Sequence, residues 1–151
     1  LKKLGLLICF ITVFIVLGLI WYFASPLKIQ HVMRHTNNIE KIDFTISSQG
    51  EMHQYSMQFH EESKISEMLN FLDSETYNRE LKTYKGSTDE VIFMIIFYRN
   101  RDGALDNYSF DMNESGVIIS DKKQYQMRGD TKKVFNSLYE WIKTEGLSIR
   151  N

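Results

Sequence analysis

Cysteine is almost missing from this chain, and its scarcity removes a class of proteins at once. The one cysteine, Cys9, lies inside a long apolar run, so the rest of the chain has no disulfide scaffold and no thiol nucleophile. Proline is equally scarce, with Pro26 alone, directly after that run. An excess of positive charge is lacking too. Of the 18 lysines and arginines, two (Lys2 and Lys3) precede the run, which leaves 16 beyond it against all 19 acidic residues. That balance gives no electrostatic footprint for nucleic acid. Internal repeats and low-complexity tracts are absent, as are the G-x-S-x-G nucleophile turn, the HExxH zinc pair and a glycine-rich phosphate loop. No catalytic residue, cofactor site or metal site is therefore assigned from sequence.

What the chain does have begins at its N-terminus. Residues 4–24 read LGLLICFITVFIVLGLIWYFA without a single charge. About 21 residues at 1.5 Å each make roughly 31 Å, the thickness of a hydrocarbon core. Trp21 and Tyr22 stand at its far end, where amphipathic rings favour the lipid–water boundary, and Pro26 stops the helix. Lys2 and Lys3 orient the segment with its N-terminus in the cytoplasm and the remainder outside. Signal-peptide cleavage is the rival. Cutting after Ala24 puts Tyr22 at −3, and cutting after Ser25 puts Pro26 at +1, both poor sites. The opening Leu1 suggests a reading frame begun at a non-AUG codon, or a trimmed terminus. The sequence thus predicts a cytoplasmic N-terminus (1–3), a transmembrane anchor in contact with the bilayer (4–24), a juxtamembrane linker (25–38) with some helical character, and an extracytoplasmic domain (39–151).

With 13% aromatic and 25% charged residues, the chain has the composition of an ordered protein. Ile42, Phe44 and Ile46 alternate with polar residues, and after a turn at 48–50 so do Tyr55, Met57 and Phe59: a β-hairpin with one wet face. The period then lengthens. Ile65, Met68, Leu69 and Leu72 form one face of a helix of about ten residues, with Ser63 as its expected cap. A short strand is expected over Glu80–Tyr84. The run 91–98, VIFMIIFY, is apolar on both faces and predicts a central strand covered at least in part on both sides. Tyr108, Phe110 and Met112, then 117–119, then Tyr125 and Met127 mark further strands. Asp130 caps a closing helix with a stripe of Val134, Phe135, Leu138, Tyr139, Trp141 and Ile142, ended by Gly146. Expected core residues include Phe44, Phe59, Leu69, Phe93, Ile95, Phe110, Leu138 and Trp141. Short links without βαβ alternation predict an α+β fold, a meandering antiparallel sheet of about five to seven strands with two helices packed on one face.

Few residues suggest chemistry. His31 and His35 are four apart and would share a helical face, but no third ligand is indicated. His53 and His60 fall on opposite strand faces. The adjacent acids Glu61-Glu62 and Asp89-Glu90 do not converge across a cleft as paired catalytic carboxylates must. Asn107 and Asn113 match the glycosylation acceptor pattern, which matters only in a eukaryotic secretory route. The local basic group Lys122, Lys123, Arg128, Lys132 and Lys133 is the candidate surface for an anionic partner, either a lipid phosphate or a wall polymer, with a solvated face as the bland alternative.

Taken together, the Leu-Lys-Lys opening with its anchor, the hairpin, the helix containing ISEMLNFL and the closing helix resemble small single-span extracytoplasmic proteins of low-GC Gram-positive bacteria, domains of unknown function. The resemblance implies a membrane protein facing the cell exterior and transfers no catalytic residue. Two function classes follow: a binding or interaction module at the envelope (accessory, sensor or inhibitor subunit), or an envelope hydrolase. Regular apolar–polar alternation in the strands favours the first.

Overall fold

The computed structural model describes residues 2–48, 50–59, 62–81 and 90–149. α1 (Lys2–Ala24) is the apolar helix, and no part of its hydrophobic stretch is buried by the rest of the protein. It ends where Ser25 turns back, its N–H and hydroxyl both donating to the Trp21 carbonyl. A one-turn helix, α2 (Ile29–Val32), leads through a 3-10 turn (Thr36–Asn38) into β1 (Ile39–Ser48) and β2 (Glu51–Gln58). Then come α3 (Glu62–Asp73), β3 (Thr76–Glu80), β4 (Val91–Arg99), β5 (Leu105–Asn113), β6 (Val117–Ser120), β7 (Lys123–Arg128), α4 (Thr131–Glu145) and the two-residue β8 (Leu147–Ser148).

All eight strands join one antiparallel sheet in the order β3-β7-β6-β5-β4-β1-β2-β8. The fold is α+β, as the patterning predicts, and β4 through β7 form the meander. The remaining order is set by the helices. α3 carries the chain from β2, near one edge, to β3 at the other edge, and α4 carries it back from β7 to β8. Both helices bury their stripes on one sheet face, where Met68, Leu72, Phe135, Leu138 and Ile142 are fully buried with Ile42, Phe44, Met94, Ile96 and Phe110.

Several details differ from the sequence reading. The segment 25–38 is not a linker. Ile29, Val32 and Met33 are 1%, 1% and 0% exposed, and Leu27 exchanges two backbone hydrogen bonds with Tyr77 of β3. Apolar residues spaced over a single helical turn were too few for their period to register. α3 begins at Glu62, so Ser63 lies in its first turn instead of capping it. The strand after α3 is Thr76–Glu80, and residues 82–84 of the expected strand lie outside the described residues. The Asp130 cap is present, accepting from the Lys133 N–H, and α4 stops at Gly146. Gly146 has φ −77, so no left-handed turn requires it; a Cβ there would come within 2.5 Å of the Ile142 carbonyl and 2.9 Å of Tyr55 Cβ. Glycine ends this helix because β2 passes too close for a side chain.

The largest correction concerns β4. Ile92, Met94 and Ile96 point into the core, whereas Val91, Phe93, Ile95 and Phe97 lie half-buried on a sheet face that no helix among the described residues covers. Phe93 and Ile95 are therefore not core residues. On this open face β1 supplies polar neighbours. Lys41 pairs with Asp43 at 2.9 Å and lies over the Phe97 ring, and Ser56 donates to Asp43.

Candidate functional site

A concavity lies where the apolar helix meets the domain. The last turn of α1 packs on β3. The Arg79 guanidinium sits 4.0 Å from the centroid of the Tyr22 ring and donates to the Tyr22 carbonyl at 2.8 Å. Beside this contact opens a cavity of about 710 Å³. Tyr22 and Phe23 of α1 form one side. Arg79, Glu80 and Leu81 at the end of β3, and Ile119, Gln124 and Tyr125 of the β6–β7 hairpin, form the other. His31 of α2 and the pair Lys122 and Lys123 complete it.

The hairpin turn explains why the two lysines stand there. Ser120 pairs with Lys123, leaving Asp121 and Lys122 as a two-residue loop with φ of 45 and 69. Positive φ at both positions is the primed turn whose twist suits a tight hairpin. Aspartate tolerates this conformation, and an ion pair from Arg34 to Asp121 holds it in place. Lys122 and Lys123 are exposed, and neither has an ion pair among the described residues. Tyr125, paired with Arg79 across β3 and β7, has its hydroxyl pKa pushed up by burial and drawn back by the Arg79 charge. Gln124 adds a buried side-chain oxygen with no hydrogen-bond partner among the described residues. The cavity thus combines three cations, one acid (Glu80) and an apolar and aromatic wall.

The basic group expected from sequence is split by the strand that carries it. Lys123 and Arg128 occupy the two ends of β7, five residues and about 17 Å apart. Lys122 and Lys123 belong to the cavity. Arg128, Lys132 and Lys133 stand at the other end, where Lys132 is paired with Glu114 at 2.7 Å, which raises its pKa. The five do not form one surface. Arg79, absent from the sequence reading, takes the place of the distant three, brought in by pairing between strands far apart in sequence.

The other candidates disperse. His31 lines the cavity, while His35 lies beyond α2 at φ 58 and stacks on Tyr98, ring centroids 3.9 Å apart. His53 faces Glu51 on exposed β2, and His60, Glu61 and Asp89 lie outside the described residues. Among the described residues no three histidine, cysteine, aspartate or glutamate side chains converge as metal ligands. Asn113 is only 3% exposed, accepting from Val117 N–H and Ser115 in the β5–β6 turn, so the folded domain offers no glycosylation site there.

A second feature lies on the open sheet face. Asp111 sits between Phe93 of β4 and Ile119 of β6, beside a small hollow of about 70 Å³. Its Oδ1 is buried without a partner among the described residues, and burial pushes its pKa up to about 6.

Compared with known protein families, with curated proteins and with solved structures, the chain matches none.

Proposed function

We propose that this protein is a membrane-anchored binding module whose domain stands directly on the extracytoplasmic side of the bilayer, with its ligand site in the cavity between α1 and the sheet edge. The observation that carries this reading is the shared cavity. The last aromatic residues of an apolar, membrane-length helix and the cations of β3 and the β6–β7 turn line one space. A free-swinging tether would not need the Arg79–Tyr22 contact, nor a following segment buried in the core. Lys2 and Lys3 support the orientation through the positive-inside rule. Binding is favoured over acyl transfer to a hydroxyl or thiol because the described lining has no serine, threonine or cysteine to act as that nucleophile. An envelope hydrolase is the second reading, favoured only by His31 and Glu80 lining the same cavity, where they would serve to activate water.

Protease added to cells with permeable walls is expected to remove the domain and leave a short membrane-bound stub. A domain protected until lysis would overturn the orientation, and a mature N-terminus near Ser25 would overturn the anchor. Retention of function in His31→Ala and Glu80→Gln proteins that still fold separates the module from the hydrolase.

A further inference from the structure

Resting on that reading, we infer that the cavity takes the headgroup of an acidic phospholipid from the outer leaflet, at the end of α1 that carries the domain. Depth is the first argument. Trp21, 74% exposed, and Tyr22 mark the end of the apolar helix, and such rings settle at the headgroup level. Tyr22 and Phe23 wall the cavity, so a membrane-inserted α1 holds the cavity beside the headgroups and within reach of lipid.

Charge is the second argument. Arg79, Lys122 and Lys123 outnumber Glu80 in the lining and select a negative ligand. Arg79 is fixed by its contact with Tyr22, yet a guanidinium has five N–H donors, and one goes to the Tyr22 carbonyl. The others can bind a phosphate in a forked geometry, with the lysines as flanking point charges. Asp121, the acid nearest the two lysines in the turn, is occupied by Arg34 and does not neutralise them.

Chemistry of the remaining wall is the third argument. Phe23, Leu81 and Ile119 offer apolar contact to the glycerol backbone and first acyl carbons, which an inorganic anion would leave unused. A phosphate and an apolar stem together describe an acidic phospholipid such as phosphatidylglycerol better than they describe free phosphate.

The test uses the full chain in detergent micelles loaded with equal amounts of phosphatidylglycerol and phosphatidylcholine, with retained lipids counted by native mass spectrometry. The wild-type protein is expected to retain phosphatidylglycerol about tenfold or more over phosphatidylcholine. Lys122→Glu with Lys123→Glu should abolish the preference, each lysine near an anionic surface being worth about a fivefold effect. Arg128→Glu with Lys133→Glu makes the same change in net charge at the far end of β7 and should leave it intact. Glu80→Gln should strengthen it.

Equal retention of the two lipids, or equal loss in the two charge-reversed proteins, would overturn the inference. Displacement of phosphatidylglycerol by excess inorganic phosphate would also overturn it, showing that the site reads the soluble anion. Circular dichroism of each variant separates loss of the site from loss of the fold. Alkaline extraction of membranes tests the anchor separately: a chain washed off the membrane fails the underlying reading, whereas a chain that resists extraction without lipid preference fails this inference alone.

Discussion

Arg79 of β3 lies over the ring of Tyr22 in α1 and donates to that residue's carbonyl, so the membrane-length helix and the sheet meet through one cation–aromatic contact reinforced by one hydrogen bond. Such a contact contributes about 1–2 kcal/mol when partly shielded from water. Arg79→Ala in the full chain should lower stability by about that amount, read as a shift in thermal midpoint in micelles. In a chain beginning at Ser25 the partner is gone, and the same substitution should change little. A similar loss in both would mean that Arg79 acts within the sheet and not through Tyr22.

The segment after the helix should prove indispensable to the domain. Leu27, Ile29, Val32 and Met33 are all buried, and each such side chain contributes about 1.5–3 kcal/mol. Together they amount to about as much as the whole net stability of a typical domain. A chain beginning at Ser25 should be soluble and unfold cooperatively in urea under reducing conditions. A chain beginning at Asn38 should not fold. Cooperative unfolding of the shorter chain would return residues 25–38 to the role of a linker.

Two aromatic residues separate the covered face of the sheet from the open one. Trp141 of α4 is 7% exposed against the core, and Trp141→Ala should cost about 3–5 kcal/mol. Phe93 is half-buried on the open face, and Phe93→Ala should cost about 1 kcal/mol. Urea midpoints at constant slope measure both. Equal costs would mean that something covers the open face in solution.

Phe93 also shows where a sequence stops being informative. Faces were readable wherever one side of an element was polar. β1, β2 and β5 place their alternating residues as expected, and α3 and α4 bury the stripes their spacing marks out. In β4 both faces are apolar, so alternation carried no sign of which face would meet the helices. Cover on both sides, at least in part, was then the natural expectation, and Phe93 and Ile95, expected in the core, lie half-buried on the face away from it. Strand order was illegible for a different reason. β3 pairs with β7 and β1 with β4, and nothing local in Thr76–Glu80 marks it as a partner for Lys123–Arg128. The cavity inherits that limit. Tyr22, Lys122 and Lys123 were visible as interfacial or basic residues, but Arg79 joins them only through the long-range pairing of an edge strand.

Asp111 supplies the last prediction. It is flanked across β4 and β6 by Phe93 and Ile119, and burial raises its pKa from 3.8 to about 6. A carboxyl whose folded pKa is raised binds its proton more tightly in the native state than in the unfolded chain. Its neutral form therefore favours folding at acidic pH. That advantage is complete below about pH 4, shrinks as pH rises between the two values, and is gone above about pH 6. Asp111 is only partly buried, so solvent screens the effect to about 1 kcal/mol. The quantity that isolates this carboxyl is the stability of wild type minus that of Asp111→Asn, measured from pH 4 to pH 7. That difference should fall by about 1 kcal/mol across the window. Asp111→Val, which extends the apolar surroundings and removes the unpartnered oxygen, should stabilise the domain at pH 7 by about as much. Parallel pH curves for wild type and Asp111→Asn would show that the carboxyl is solvated as freely in the folded state as in the unfolded one.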